Sequence, residues 1–327
     1  MANLEFIDSF MHYDTATEYQ KYENPGNNTL VPAAGRFGVQ GLEVGLFSGG
    51  PQATFKTNPT SIYAGGALYL GTFSRVLIQH NNNLSPYVSC GVRNDARVYL
   101  QIGTVIHVSL VTVHLNSWYY FELNGLINVG GEQITAEVKV NEISVLSAAT
   151  TSALEYHTIV DGNGAYFTST QPYGVSPGDA RLSDWYVNKT DYLGDVLIRY
   201  IKPNGVGHYN DWGFTGAASA WQATSEVPPD GDASYISTHT VTQKTSCAME
   251  NVALSGGACL GVQFLANGQK TNANIRSITP FVRTGGSDLN GDELSLPYGY
   301  VYTHDCQDTH YSESDLNAIE VGVELTA

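Results

Sequence analysis

The clearest pattern along the chain is strict alternation. Ile134-Thr135-Ala136-Glu137-Val138-Lys139-Val140 switches between apolar and polar at every step, the period of a strand with one wet face. Val98, Leu100 and Ile102 form a second such stripe, and Ile106, Val108 and Leu110 continue it beyond Gly103. Trp118 to Leu123 and Val196 to Ile201 are apolar on both sides, which predicts strands buried between two layers. Gly49-Gly50-Pro51, Asn81-Asn82-Asn83, Gly130-Gly131, Asp161-Gly162-Asn163-Gly164 and Gly256-Gly257 punctuate these runs. Gly and Asn tolerate positive φ at little cost, so each is a predicted turn. Short strands with a turn roughly every 8–12 residues predict a β-sandwich. The best helical segment is Ser312–Ile319, where a capping Ser and early acids predict about two turns.

Composition agrees with an all-β chain. Charged residues make up 14% of the 327, while Gly numbers 34 and Tyr 21. Tyr favours strands and contact surfaces. Apolar types at 42% supply a core large enough to exclude disorder. The length suggests two domains. Leu182–Val187 reads as a closing strand, and Leu193–Tyr200 opens a new run before the Pro203-Asn204-Gly205 turn. The boundary is therefore expected near residue 190, giving domains 1–190 and 191–327, the second with a short helix near 312–319.

Charge removes one class of partner. Fifteen Lys+Arg against 31 Asp+Glu give a net charge of −16. A nucleic-acid binder needs basic residues to displace counterions from phosphates, and the same acidic field repels anionic membranes. The opening MANLEFIDSF has neither a basic region nor an apolar one, so no secretory leader is expected, and no apolar run is long enough to span a bilayer. Cys90, Cys247, Cys259 and Cys306 are scattered without CxxC spacing and read as buried thiols, a Cys247–Cys259 bridge being the alternative.

Two resemblances follow from longer stretches. Leu115–Leu123 followed by Thr135–Asn141 resembles the Trp-x-x-x-Glu strand and its successor in concanavalin A-like (laminin-G-type) jelly rolls. Phe6–Phe10 and Leu182–Val187 resemble the paired terminal strands of that fold. Leu193-Gly194-Asp195-Val196, Pro203-Asn204-Gly205, Trp212, Trp221, Glu226, Pro229–Ile236, Gly261-Val262-Gln263 and Ser314–Val323 together resemble a set of tailed-bacteriophage structural proteins. Tyr209–Phe214 departs from that pattern, in which a Trp-Thr is expected. The resemblance implies a non-enzymatic virion component on the particle exterior, as a tail appendage or a head decoration, and carries no catalytic residue.

Several segments carry possible chemistry. Gly174-Val175-Ser176-Pro177-Gly178 matches GxSxG, but Pro177 and its neighbours place it in a loop, not at a nucleophile elbow. Glu122 and Glu137, on predicted neighbouring strands, are the best carboxylate pair for a jelly-roll glycosidase, which needs two such groups across a groove. The Glu-x-Asp-x-x-Glu motif of concanavalin-like glycosidases does not occur. His304, Cys306 and His310 gather zinc-type ligands, with His304 and Cys306 sharing a strand face. Asp288, Asn290 and Asp292 place oxygen ligands at alternate positions like half a calcium loop, and Asp230-Gly231-Asp232 and Asp161-Gly162-Asn163 are similar acidic turns. Turn formation alone accounts for each. Trp185, Tyr186, Tyr209, Trp212, Phe214 and Trp221 cluster around the expected boundary, and are read either as core or as contacts to a glycan or a protein.

These observations predict two antiparallel β-sandwich (jelly-roll-like) domains, the first concanavalin A-like. The expected partners are other virion proteins and further copies of the chain, with a host glycan as an alternative and no resident cofactor beyond a possible calcium. The expected location is the virion exterior, and a glycan-degrading enzyme is the second alternative.

Overall fold

Alternation becomes strands wherever one face can be covered. A computed structural model describes residues 4–13, 28–33, 35–44, 49–54, 61–71, 73, 75–82, 85–127, 134–150, 164–168 and 180–327. The chain divides into two compact units, one ending at Arg199 and one running Tyr200–Ala327. The division falls nine residues after the expected position. The chain is all-β, and its sheets are antiparallel.

The first unit contains β1 (Leu4–Asp8), β2 (Asn28–Val31), β3 (Gly41–Val44), β4 (Gly49–Thr54) and β5 (Ser61–Leu70). It continues with β6 (Arg75–Asn82), β7 (Ser85–Val92), β8 (Arg97–Ile102), β9 (Val105–Thr112) and β10 (Ser117–Ile127). β11 (Ile134–Val140), β12 (Ile143–Thr150), β13 (Gly164–Thr168) and β14 (Ala180–Asn188) complete it. An eight-stranded sheet has the order β12-β11-β10-β5-β14-β3-β2, with β1 also on β14, and a six-stranded sheet runs β4-β13-β6-β7-β8-β9. The two pack face to face as an antiparallel β-sandwich. The expected pairing of terminal strands is present, with Phe6 opposite Val187 and Asp8 opposite Trp185. Leu68, Leu70, Phe121, Leu123, Val138 and Leu182 are buried on one sheet, and Val88, Cys90, Val98, Leu100 and Ile102 on the other. Each such side chain contributes about 1.5–3 kcal/mol on burial.

Two predicted features differ. Gly49-Gly50-Pro51 is part of β4, not a turn. Val196–Ile201 forms no strand. Within residues 194–199 two backbone N–H groups are taken by side chains of the large sheet: Gly194 donates to Glu122 Oε1 at 2.9 Å, and Ile198 donates to Asp184 Oδ1 at 2.9 Å. Leu193 and Val196 nevertheless pack on Ala67, Tyr120 and Tyr186. Residues 193–196 thus cover the outer face of β5, β10 and β14, and this is why Trp118–Leu123 is apolar on both sides. Asn83, Gly130-Gly131, Asp161-Gly162-Asn163 and Gly174–Gly178 lie outside the described residues.

The second unit contains β15 (Pro203–Asn210), β16 (Gly213–Thr215), β17 (Tyr235–Ser237), β18 (Lys244–Met249) and β19 (Val262–Gly268). β20 (Ser277–Thr284), β21 (Ser287–Asn290), β22 (Leu294–Ser295), β23 (Val301–Gln307), α1 (Glu313–Leu316) and β24 (Glu320–Leu325) follow. A sheet of order β15-β18-β24-β20-β21, extended by β22 on β20, is the main layer, and β19 pairs with β23. Phe264 and Ala266 of β19 pack on Ile278, Val323 and Leu325 of the main sheet, which makes the second layer of this smaller sandwich. α1 has the expected cap, with Ser312 Oγ accepting from Asp315 N at 3.1 Å, but it is one turn long, not two. Its Leu316 joins Val252, Val282, Tyr311 and Ile319 in a small core. Asn317 ends it by holding Val252 through both a donated and an accepted bond.

All four cysteines are free thiols, buried at Cys90, Cys247 and Cys306 and half-buried at Cys259. Burial pushes the Cys90 thiol up to about 12, so it is an inert packing group. Among the described residues no helix is long and apolar enough to cross a membrane.

Candidate functional site

Two carboxylates, Glu122 buried and Glu137 half-buried, stand on the sheet that residues 193–196 cover. Glu122 lies on β10 opposite Gly65 and Lys139, and Glu137 lies on β11 opposite Asn124, so both project from one face, two positions apart. They do not face each other across a groove. Glu122 is fully buried, and its Oε1 accepts the Tyr186 hydroxyl and the Gly194 N–H. The Tyr186 oxygen in turn accepts from Leu193 N at 3.0 Å. Tyr192 donates to the Glu137 carbonyl at 3.0 Å, and the Lys139 ammonium lies 3.9 Å from its ring centre. Burial raises the Glu122 carboxyl, while the Tyr186 and Gly194 bonds pull it down. The Glu122 carboxylate therefore fastens the backbone at Gly194 instead of lining a cleft, and Glu137 takes part only through its main-chain carbonyl.

The six aromatic candidates separate. Trp185 is buried against Phe6 at 5.3 Å, and Tyr186 is buried on Glu122, so both are corrected from contact candidates to core. Trp212 is half-buried over the Ile278–Val323–Leu325 cluster and donates to Gln243 O at 3.0 Å. Trp221 is half-buried beside the short 3-10 turn Gln222–Thr224, and Phe214 stands exposed on β16.

Tyr209 belongs to an ion cluster. Asp288 Oδ2 accepts from Tyr209 Oη at 2.9 Å and Lys244 Nζ at 3.0 Å, and its Oδ1 accepts from Arg283 Nη1 at 2.6 Å. Burial pushes the Asp288 carboxyl up, but the bonds from Lys244, Arg283 and Tyr209 outweigh it and hold the group below its usual range. This corrects the calcium expectation. Asp288 and Asn290 are paired positions on a β20–β21 hairpin, not loop ligands, and two cations already neutralise Asp288. Asp292 lies beyond that strand, its N–H 3.3 Å from Asp305 Oδ2. The zinc set also stays apart: His304 and Cys306 share a face of β23 as expected, but His310 lies beyond its end. Among the described residues no group of three or more His, Cys, Asp or Glu side chains is placed to hold a metal ion.

A different constellation forms at the surface of the second unit. The Leu296–Tyr300 loop between β22 and β23 is pinned by Lys270 N donating to Pro297 O at 2.8 Å. This presents Tyr298, 61% exposed, with Lys270 Nζ 4.8 Å from its ring centre. Tyr300 donates to Asp232 Oδ1 at 2.7 Å, and Gln269 Nε2 lies 3.4 Å from the same oxygen. Burial first, then the Asp232 carboxylate, pushes the Tyr300 hydroxyl up to about 12, which keeps it a donor; exposed Tyr235 adds to that field. The turn that delivers Asp232 is fixed by Ser234, whose N–H and hydroxyl both reach Asp230. Three tyrosines, one carboxylate and one amide thus share a surface that can stack on an apolar face and hydrogen-bond around its rim. The sequence shows Asp232 as an acidic turn but not Tyr298 and Tyr300, because the partners of Asp232, Gln269 and Tyr300, lie 37 and 68 residues away.

No protein-family model matches the chain, and no curated protein sequence matches it. Solved structures similar to it include a Trypanosoma rangeli sialidase, at 11% identity and TM-score 0.39, over 57% of this chain and 30% of that one. Another is a botulinum neurotoxin type C chain whose cell entry is described as dependent on two ganglioside molecules (10% identity, TM-score 0.37, 62% of this chain and 54% of that one). A Limulus polyphemus SAP-like pentraxin matches at 12% identity and TM-score 0.29, over 42% of this chain and 68% of that one. The first three matched chains are covered over 17%, 54% and 29% of their length. The expectation that the chain is not an enzyme is corrected by these matches, several of which are sialidases. At such identities and TM-scores they assign it no activity and no substrate.

Proposed function

We propose that this chain is an exterior component of a tailed-bacteriophage particle and binds a neutral glycan through the Tyr235–Tyr298–Tyr300 surface of its second unit. The observation that carries the binding role is the exposed Tyr298 beside the Tyr300–Asp232–Gln269 hydrogen-bond group. Sugar rings offer C–H faces to aromatic side chains and hydroxyls to acceptors such as a carboxylate. A net charge of −16 disfavours anionic ligands, so the glycan is neutral. The particle role rests on the resemblance of residues 193–323 to phage structural proteins.

The test is an array of neutral and acidic glycans probed with the full chain, with Tyr298→Ala and with Asp232→Ala. Saturable binding to neutral glycans, weakened at least about tenfold in both variants, is the expected result. Binding unaffected by both substitutions, or none to any glycan, removes the role from this surface.

A further inference from the structure

We propose that two copies of this chain pair edge to edge through β9, in antiparallel register, to make one continuous sheet. β9 is the outermost strand of its sheet, and among the described residues no strand pairs with its far side. Such an edge presents a row of free N–H and C=O groups, which proteins ordinarily blunt with Lys, Pro or a short strand. β9 has none of these devices: it is eight residues long and reads Val-Ile-His-Val-Ser-Leu-Val-Thr.

Its side chains are apolar where they are most accessible. Leu110 is 91% exposed and Ile106 56%, with Val105 and Val111 exposed beside them. Ile106, Val108 and Leu110 were expected to continue the stripe of β8, and they do so only in part: Val98, Leu100 and Ile102 are buried, whereas Val108 is half-buried and Ile106 and Leu110 are exposed. β12, the last strand of the other sheet, packs beside β9 and adds Ile143 at 68% exposure. One end of the sandwich is therefore an apolar margin formed by both edge strands.

Charge selects a second copy as the occupant. Two molecules of net charge −16 repel wherever acidic surfaces meet, but Val98 through Phe121 contains no Asp, Glu, Lys or Arg. Antiparallel self-pairing of β9 brings that uncharged stretch onto itself. A two-fold contact needs a self-complementary surface, and this edge meets the need without an opposing charge on either side. A strongly basic or acidic partner finds nothing here to pair with.

The experiment is sedimentation of the full chain, of Leu110→Lys and of Ile106→Lys, with circular dichroism on each. The wild type is expected as a dimer, and each substitution is expected to raise its dissociation constant about tenfold or more by placing a charge in the apolar contact. Amide exchange within 105–112 should slow in the wild type as concentration rises. A wild type monomeric at every concentration overturns the proposal, as does a dimer untouched by both lysines. Should either lysine variant unfold, Leu110→Gln and the concentration dependence of exchange decide the same question in a folded chain.

Discussion

Replacing Asp184 by Asn should stabilise the first unit at neutral pH. Asp184 is fully buried in β14, at a bulge where the register to β5 skips from Ser183 to Tyr186, with φ 51. Its Oδ1 accepts from Ile198 N at 2.9 Å and its Oδ2 from the Ser183 hydroxyl at 3.2 Å. Burial raises the carboxyl to about 6 against those bonds. The folded chain therefore holds this proton more tightly than the unfolded chain. Stability from this group is fully present below pH 3.8, is lost as pH rises through about 6, and stays lost above it. The displacement corresponds to a penalty of about 3 kcal/mol at neutral pH. Asn keeps the bond from Ile198, can donate to Ser183, tolerates the positive φ and carries no charge. At pH 7.5 we expect a gain of up to about 3 kcal/mol, and about 2–4 °C in Tm per kcal/mol for a unit of this size. At pH 4 the gain should nearly vanish. Calorimetry of the whole chain at both values checks this. A variant less stable by more than about 1 kcal/mol at pH 7.5, or equally affected at both values, refutes the reasoning.

Gly65→Ala should cost about 1–3 kcal/mol, because the added methyl meets Tyr186 Cε1 at 2.5 Å and Glu122 Cγ at 3.0 Å. A thermal melt showing no loss would mean that the Tyr186–Glu122 pair is not packed as described. Asp288→Ala should destabilise the second unit, since it removes the carboxylate that Arg283 and Lys244 share and leaves Lys244 only Glu324. The Asp288 carboxyl is held low in the fold, so its contribution is present above the ordinary carboxylate range and lost as pH falls below it. Denaturation of wild type and variant at pH 7 and pH 3 should show a difference at the first value that shrinks at the second.

The sandwich was legible because alternation is local. Val98, Leu100 and Ile102 and the β11 stripe carry their burial in their spacing. Residues 196–201 misled because an apolar run reads alike in a strand and in a segment laid across a sheet. What decides between them is whether the N–H groups meet a neighbouring strand or a side chain, as the Ile198 N–H meets Asp184. Asp288 looked like a cation ligand for the same reason: its partners, Lys244 and Tyr209, are 44 and 79 residues away. The Tyr298–Tyr300 surface assembles from three separate loops, so no single window of sequence displayed it. The exposed edge of β9 was concealed by a periodicity that in a central strand means burial.

The most direct test of the account is labelling of purified phage particles with an antibody raised against this chain, viewed by electron microscopy. Label is expected on the particle exterior, on the head or on the tail. Particles that carry no label and lack the chain by mass spectrometry would contradict it.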